Sequence, residues 1–221
     1  AGATDEQFLR QLREQFGLDQ PMYVQLWRYV SGIAMLDFGY SYRQQMPVFD
    51  LIMARMPATL LLTGTAFVLS LALGILAGSL AAARAKKPSG SLIMALALLF
   101  YATPLFWVAL MAVVLFSVYL DWLPAYGMVT VGAGYTGLAL ALDVGKHLIL
   151  PATTLALFFM AIYTRMTRTS MLEASQQDYV KTARAKGLSP RIIQRRHILR
   201  NALLPIITLA GLQAGQMVGG A

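Results

Sequence analysis

Hydrophobic positions run along this chain in two styles. Up to residue 56 they recur at helical spacing among charges. Beyond it they come in long charge-free runs separated by basic segments. In the first region Thr4 with Gln7 three residues on has the form of a capping box, Phe8, Leu12 and Phe16 share a helix face, and Gly17 fits a C-terminal stop. Pro21 suits the first turn of a second helix reaching about Leu36, with Met22, Leu26, Trp27, Val30 and Ile33 on its apolar side. The segment DFGYSY, 37–42, ends it. After Pro47, Val48 to Met56 reads as a separate short amphipathic helix whose Phe49, Ile52, Met53 and Met56 suit a membrane interface.

The later runs are membrane spans by length, since crossing takes roughly 20 apolar residues at about 1.5 Å each. Span A is Pro57 to Ala83, and the basic turn RAKKPSG, 84–90, follows it. Span B is Ser91 to Leu120 with a kink expected at Pro104. Asp121 to Lys146, holding LPAYG and several glycines, reads as a loop in which Asp143 and Lys146 cancel. Span C runs from His147 to about Thr164, with Pro151 near its start, and span D begins at Asn201. Gly74 and Gly78 in span A, and Gly211, Gly215 and Gly219 in span D, stand four apart. Such steps let helices approach closely, although glycine is common in membrane helices in any case.

Composition agrees: 57% of the 221 residues are hydrophobic and 13% charged, with a mean hydropathy of +0.59, which is the make-up of an all-α integral membrane protein. Without cysteine there is no disulfide framework or thiolate site. The chain starts at Ala1 with neither an initiator methionine nor a basic leader and stops inside an apolar run, which reads as a piece of a longer protein. The net charge of +8 is concentrated. Up to Met56, Arg10, Arg13, Arg28, Arg43 and Arg55 roughly balance six acids, whereas Thr164 to Arg200 carries nine basic residues against Glu173 and Asp178. Lysine and arginine in short loops favour the cytoplasm, so 84–90 and about 165–200 are placed inside, and 1–56 and 121–146 outside.

Several chemistries lack their residues. Spans A, B and the core of C hold no ionisable group for a proton relay. No GxxxxGK[ST] loop, HExxH or GxSxG occurs, so nucleotide, zinc or serine hydrolysis is not expected of this chain. His147 and His197 fall on opposite sides of the membrane and read as polar-face histidines rather than metal ligands. Nucleic-acid binding would need a free basic surface that a bilayer denies.

The basic island is more shaped than charge alone requires. Ser175 and Asp178 form a second capping-box pattern, opening a short helix through Tyr179, Val180, Thr182, Ala183 and Ala185 that Gly187 stops. Ser189 and Pro190 then start another helix through Ile192, Ile193, Leu199 and Leu203. A small-faced helix followed by a glycine corner can seat in a groove on a partner.

These residues carry a resemblance. DYVKTARAKGL, 178–188, followed by RHILRNALLPIIT, 196–208, is similar to the coupling loop of permease subunits of binding-protein-dependent ABC importers, in the form of their dipeptide and oligopeptide branch. FGLDQP at 16–21, DFGYS at 37–41, RMPATL at 55–60, ATPLFW at 102–107, LPAYG at 123–127 and LPATTLAL at 150–157 resemble further family blocks. The wider superfamily's Glu-Ala-Ala pattern is replaced by Lys181, Thr182 and Ala183, and the stretch from Gly187 to Pro205 is longer than the superfamily's, both as in the peptide branch.

The resemblance implies a type I importer permease fold in the bacterial inner membrane, of which this chain would hold about four of six spans. Residues 1–56 would be a periplasmic helical region and 57–221 the transmembrane domain. The implied partners are a second, homologous permease, two cytoplasmic ATPases, a periplasmic solute-binding protein and membrane lipid. ATP and magnesium would sit on the ATPases, with no cofactor and no catalysis in this chain. The segment 176–188 would be the coupling helix, with Asp178, Tyr179, Thr182, Ala183, Ala185, Lys186, Gly187 and Leu188 as its site residues. The cargo would be a di- or oligopeptide, glutathione, a nickel complex or another small solute. An ion-driven secondary carrier, or a membrane anchor for a cytoplasmic partner, are the alternatives.

Overall fold

A computed structural model describes residues 20–219, so the helix expected from Thr4 to Gly17 lies outside the described residues. The chain divides into two compact units, one ending at Pro57 and the other beginning at Ala58. In the first, α1 (Met22–Ala34) starts at Pro21, whose carbonyl accepts the Val24 and Gln25 amides at 2.9 and 3.2 Å. A short hairpin follows that the alternation of residues had not suggested: β1 (Tyr40–Ser41) pairs antiparallel with β2 (Met46–Pro47), Tyr40 opposite Pro47. Gln45, at φ +54°, turns the chain between them.

Helix α2 (Val48–Ala83) is continuous for 36 residues with Pro57 inside it, which corrects the reading of 48–56 as a separate interfacial helix. Proline removes one hydrogen bond, but a strongly apolar run on one side and a formed turn on the other keep the helix going, as membrane helices often do. At about 1.5 Å per residue it measures about 54 Å, well beyond a hydrocarbon layer of about 30 Å. Its buried residues are Thr63, Ala66, Ser70, Gly74, Gly78 and Ala81, a single face of small side chains at three- and four-residue steps. A Cβ on Gly74 would collide with Tyr163, and one on Gly78 would lie 2.5 Å from the Thr167 Cβ and 2.6 Å from the Thr164 carbonyl. These two glycines are therefore a contact face. Gly211, Gly215 and Gly219 have open space around them and are not one among the described residues.

Span B is not one kinked helix. Helices α3 (Pro88–Ala102) and α4 (Leu105–Tyr119) meet at 96°. Thr103 ahead of Pro104 is extended, with ψ 134°, as the proline ring demands of its predecessor. The Thr103 amide and hydroxyl both donate to the Leu99 carbonyl, at 3.1 and 2.7 Å, closing the end of α3. The last turn of α4, Val114–Tyr119, is π-helical.

Helix α5 (Gly137–Ser175) begins well before the expected His147, inside what the charges suggested was loop. Asp143 is tied down there instead of solvated: its carboxylate accepts the Thr130 amide and hydroxyl, both at 2.7 Å, so it clamps the preceding loop to the helix. His147 lies one turn on, its Nδ1 2.8 Å from the Asp143 carbonyl oxygen. After the short α6 (Asp178–Ala185) comes α7 (Pro190–Gly219), with Pro205 inside it. Tyr163 and Ala156 of α5, Ile206 and Met217 of α7, and Ala66 and Phe67 of α2 pack into the buried layers joining these three helices. Buried hydroxyls such as Thr63 and Thr164 donate to carbonyls one turn back, at 2.8 Å each, so they cost little in an apolar setting. By length and composition α2, α5 and α7 each suit a membrane crossing, and α3 and α4, bent by 96°, are either one broken span or a re-entrant pair.

Candidate functional site

The elbow between α5 and α7 forms where the apolar periodicity gives way to polar sequence. Neither of the predicted capping side chains, Ser175 and Ser189, closes it. Helix α5 runs on to Ser175, whose hydroxyl donates to its own helix at the Leu172 carbonyl, 2.7 Å away, and so is not available to cap α6. Gln177 stands at the start of α6 instead, its carbonyl accepting the Val180 and Lys181 amides at 3.0 and 3.4 Å. Ser189 does stand before Pro190 at the start of α7, but caps with its backbone: its carbonyl accepts the Ile193 amide at 3.0 Å while its side chain makes no capping bond.

Gly187 ends α6 as the sequence suggested. At φ +75° it adopts the left-handed conformation, its amide donates to the Arg184 carbonyl at 2.9 Å, and the Leu188 amide reaches back to the Ala183 carbonyl at 3.3 Å. This pair of bonds is a Schellman closure, and the half-buried Leu188 makes the apolar contact that usually accompanies one.

The predicted site residues divide between two faces. Asp178, Tyr179, Thr182, Ala185, Lys186 and Gly187 are exposed. On that surface Lys181 pairs with Asp178 at 2.8 Å, and Thr182 donates to the Asp178 carbonyl at 3.1 Å. Ala183 is not on it. It is 4% exposed and packs, with the fully buried Val180, against Met171 and Ala174 of α5 and Ile193 and Ile198 of α7. Its placement at a partner's groove is corrected on this ground: Val180 and Ala183, three residues apart, form the inward stripe of an amphipathic helix. Leu188 is likewise turned toward this cluster, where Ala82 of α2 also packs.

The anchors are what the sequence reading missed. Val180 and Ala183 do show a helical step, but inside a segment dominated by basic residues, and their partners come from three other stretches of chain. Gln194 adds a polar tie, donating through Nε2 to the Ser79 carbonyl of α2 at 3.3 Å. Leu188, Arg184, Pro190 and Gln194 contribute to a cleft of about 450 Å³ at the inner side of the elbow. The start of α7 also has an unusual backbone, since Ile193–Leu199 is π-helical. Wide turns of this kind recur at functional sites.

Known proteins are similar to this chain in sequence. Residues 74–221 match the family described as binding-protein-dependent transport system inner membrane component. The chain belongs to that family. Residues 2–63 match the N-terminal region described for the membrane component of the same kind of system. This inner membrane component is 39% identical over 217 residues to the glutathione transport system permease protein GsiC of Escherichia coli (strain K12), a match covering 98% of this chain and 66% of the relative. It is equally similar to the protein of that name from Shigella dysenteriae serotype 1 (strain Sd197), and 38% identical to that of Shigella boydii serotype 4 (strain Sb227). The chain spans 66% of the length of these relatives. Membership accords with the apolar helices, the type I permease fold and the peptide-type form of the 178–188 segment.

Proposed function

We propose that this chain is a transmembrane subunit of an ATP-driven importer for glutathione or other peptide-type solutes, coupled to separate ATPase subunits through α6. The observation that carries the reading is the elbow's construction. One face of α6 is free and the other is fixed by a buried apolar cluster to the ends of α2, α5 and α7. A force applied to the free face would reach three membrane helices at once. Closure of an ATPase dimer on ATP would supply that force, and tilting of the helix ends would bias an outward-open against an inward-open state, which is the two-state element that coupling requires.

In this scheme Asp178, Tyr179, Thr182, Ala185, Lys186 and Gly187 meet the ATPase, while Val180, Ala183 and Leu188 hold α6 to the membrane helices. ATP and magnesium belong to the ATPases. A second, homologous permease completes the pathway and a periplasmic solute-binding protein delivers the cargo, and the similarity to the glutathione permeases supports a peptide-type solute as that cargo.

The test is uptake of labelled glutathione and dipeptides into proteoliposomes holding the complete complex with its binding protein. Uptake is expected to require ATP, and Ala185→Trp, which adds bulk only to the exposed face, is expected to abolish it while the subunit still inserts and melts normally. Uptake driven by an ion gradient without ATP would make the protein a secondary carrier. Normal uptake by the Ala185→Trp complex would remove α6 as the docking face.

A further inference from the structure

Below the elbow the first turns of α7 carry a second feature, apart from the α6 face assigned to the ATPase. Arg195, Arg196 and Arg200 are all exposed and line one open cleft of about 790 Å³ together with Leu199 and Leu203. None of the three has an ion-pair partner among the described residues, whereas Lys181 on α6 is paired with Asp178. Arg196 and Arg200 are four residues apart, a spacing at which like charges destabilise a helix unless an anion lies between them.

Their depth identifies the anion. The uncharged run of α7 starts at Asn201, so Arg200 stands at its edge. Arg195 is five residues further out, at most about 7.5 Å at the α-helical rise and less along the π-helical turn it sits in. The headgroup layer on each side of a bilayer is about 5–7.5 Å thick, half the difference between a total of about 40–45 Å and a core of about 30 Å. The three guanidiniums therefore fall within one headgroup layer, where lipid phosphate is the abundant anion and where arginine recognises phosphate with a forked pair of donors. Leu199 and Leu203, one turn apart beside the arginines, offer apolar surface to the start of an acyl chain.

We propose that Arg195, Arg196 and Arg200 form a binding site for the phosphate of an anionic phospholipid in the leaflet at the base of the elbow. The proposal rests on the membrane reading of α7 but not on the cargo, on ATP or on uptake.

The experiment uses the full-length subunit in its assembled complex, placed in nanodiscs of phosphatidylcholine with or without phosphatidylglycerol. Fluorescent phosphatidylglycerol reports affinity, and native mass spectrometry reports retained lipid. The R195Q/R196Q/R200Q variant is expected to bind phosphatidylglycerol about 100-fold more weakly, and R196Q or R200Q alone about 5-fold. K86Q/K87Q, which removes two exposed charges from the turn between α2 and α3, is expected to bind as the parent does. The single variants keep the test decisive if the triple one fails to assemble. Unchanged affinity in R196Q and R200Q would overturn the site. Equal loss in K86Q/K87Q would reduce it to general surface charge. Displacement of the lipid by millimolar inorganic phosphate would assign it to a soluble anion, and loss of the ATPase with lipid retention unchanged would assign the arginines to a protein contact. Because lipid binding is read without uptake, a failure of the importer reading leaves this result distinguishable.

Discussion

Replacing Gly187 in the order Asn, Ala, Val separates what the elbow needs from its backbone and what it needs from its surface. At φ +75° an L-residue costs about 1–2 kcal/mol, less for asparagine, whose side chain tolerates the left-handed region, and more for a β-branched residue. Among the described residues no atom beyond the chain neighbours lies within 4 Å of where a Cβ would stand, so the substitution meets no steric obstacle there and the penalty is conformational. The two closing bonds, Gly187 to Arg184 and Leu188 to Ala183, are together worth about 1–3 kcal/mol net. A penalty of about 2 kcal/mol is of the same size and moves the closed corner about 30-fold toward open forms. Leu188 would then lose its place against the Ala183 cluster, and α6 would be held by one end only. The assay pairs hydrogen exchange over 185–190 with the number of solute molecules moved per ATP in proteoliposomes holding the complete complex. Protection and coupling are expected to fall together from Asn to Val, with thermal unfolding of the membrane helices little changed. Coupling at the parent level in both the Asn and the Val variant would refute the backbone requirement. Damage by Asn equal to that by Val would show that the empty space beside Gly187, not its conformation, is what matters.

Other substitutions follow from the same packing. Ala183→Leu inserts bulk into the buried cluster and is expected to cost about 1–3 kcal/mol, seen as a lower melting temperature of the detergent-solubilised subunit, with any loss of uptake following from that. Gly78→Leu forces α2 away from Thr164 and Thr167 and is expected to destabilise the subunit at least as much, while Gly215→Leu, facing open space, is expected to leave its melting temperature unchanged.

The charge-free runs made the membrane helices legible, because an apolar run of that length has no other stable home. Their ends and bends were not legible, and the four prolines show why. Pro57, Pro151 and Pro205 sit inside continuous helices, yet Pro104 separates two helices at 96°. The ring removes the same donor each time. What differs at Pro104 is that Thr103 turns extended and saturates the Leu99 carbonyl with its own amide and hydroxyl, and a neighbouring threonine is too common to announce that by itself. The early start of α5 was hidden because Asp143 and Lys146 look like loop residues until Thr130, thirteen positions away, supplies the donors for the carboxylate. In the elbow, the glycine corner and the proline start could be read directly, since each depends on one residue's backbone. Which face of α6 is free depends on Met171, Ile193 and Ile198, and so could not.

Coupling through such an elbow needs stiffness at one place and give at another, and the two are built from different residues. Small side chains on the buried face of α2 let it lie directly against α5, and Val180 and Ala183 pack α6 onto the ends of that pair, so these elements form one packed block. Close packing of this kind does not deform gradually. Helix α7 differs. Its wide π-helical turn at Ile193–Leu199 lies between the elbow and the apolar run, and Pro205 removes a backbone donor one and a half turns further on. Both weaken the helical ladder without breaking it, at the depth where a push on α6 would have to become a tilt of the span. The same turns carry Arg195, Arg196 and Arg200, so an anionic headgroup held there would lie beside the segment that bends, and its loss in the arginine variants would alter coupling as well as lipid affinity.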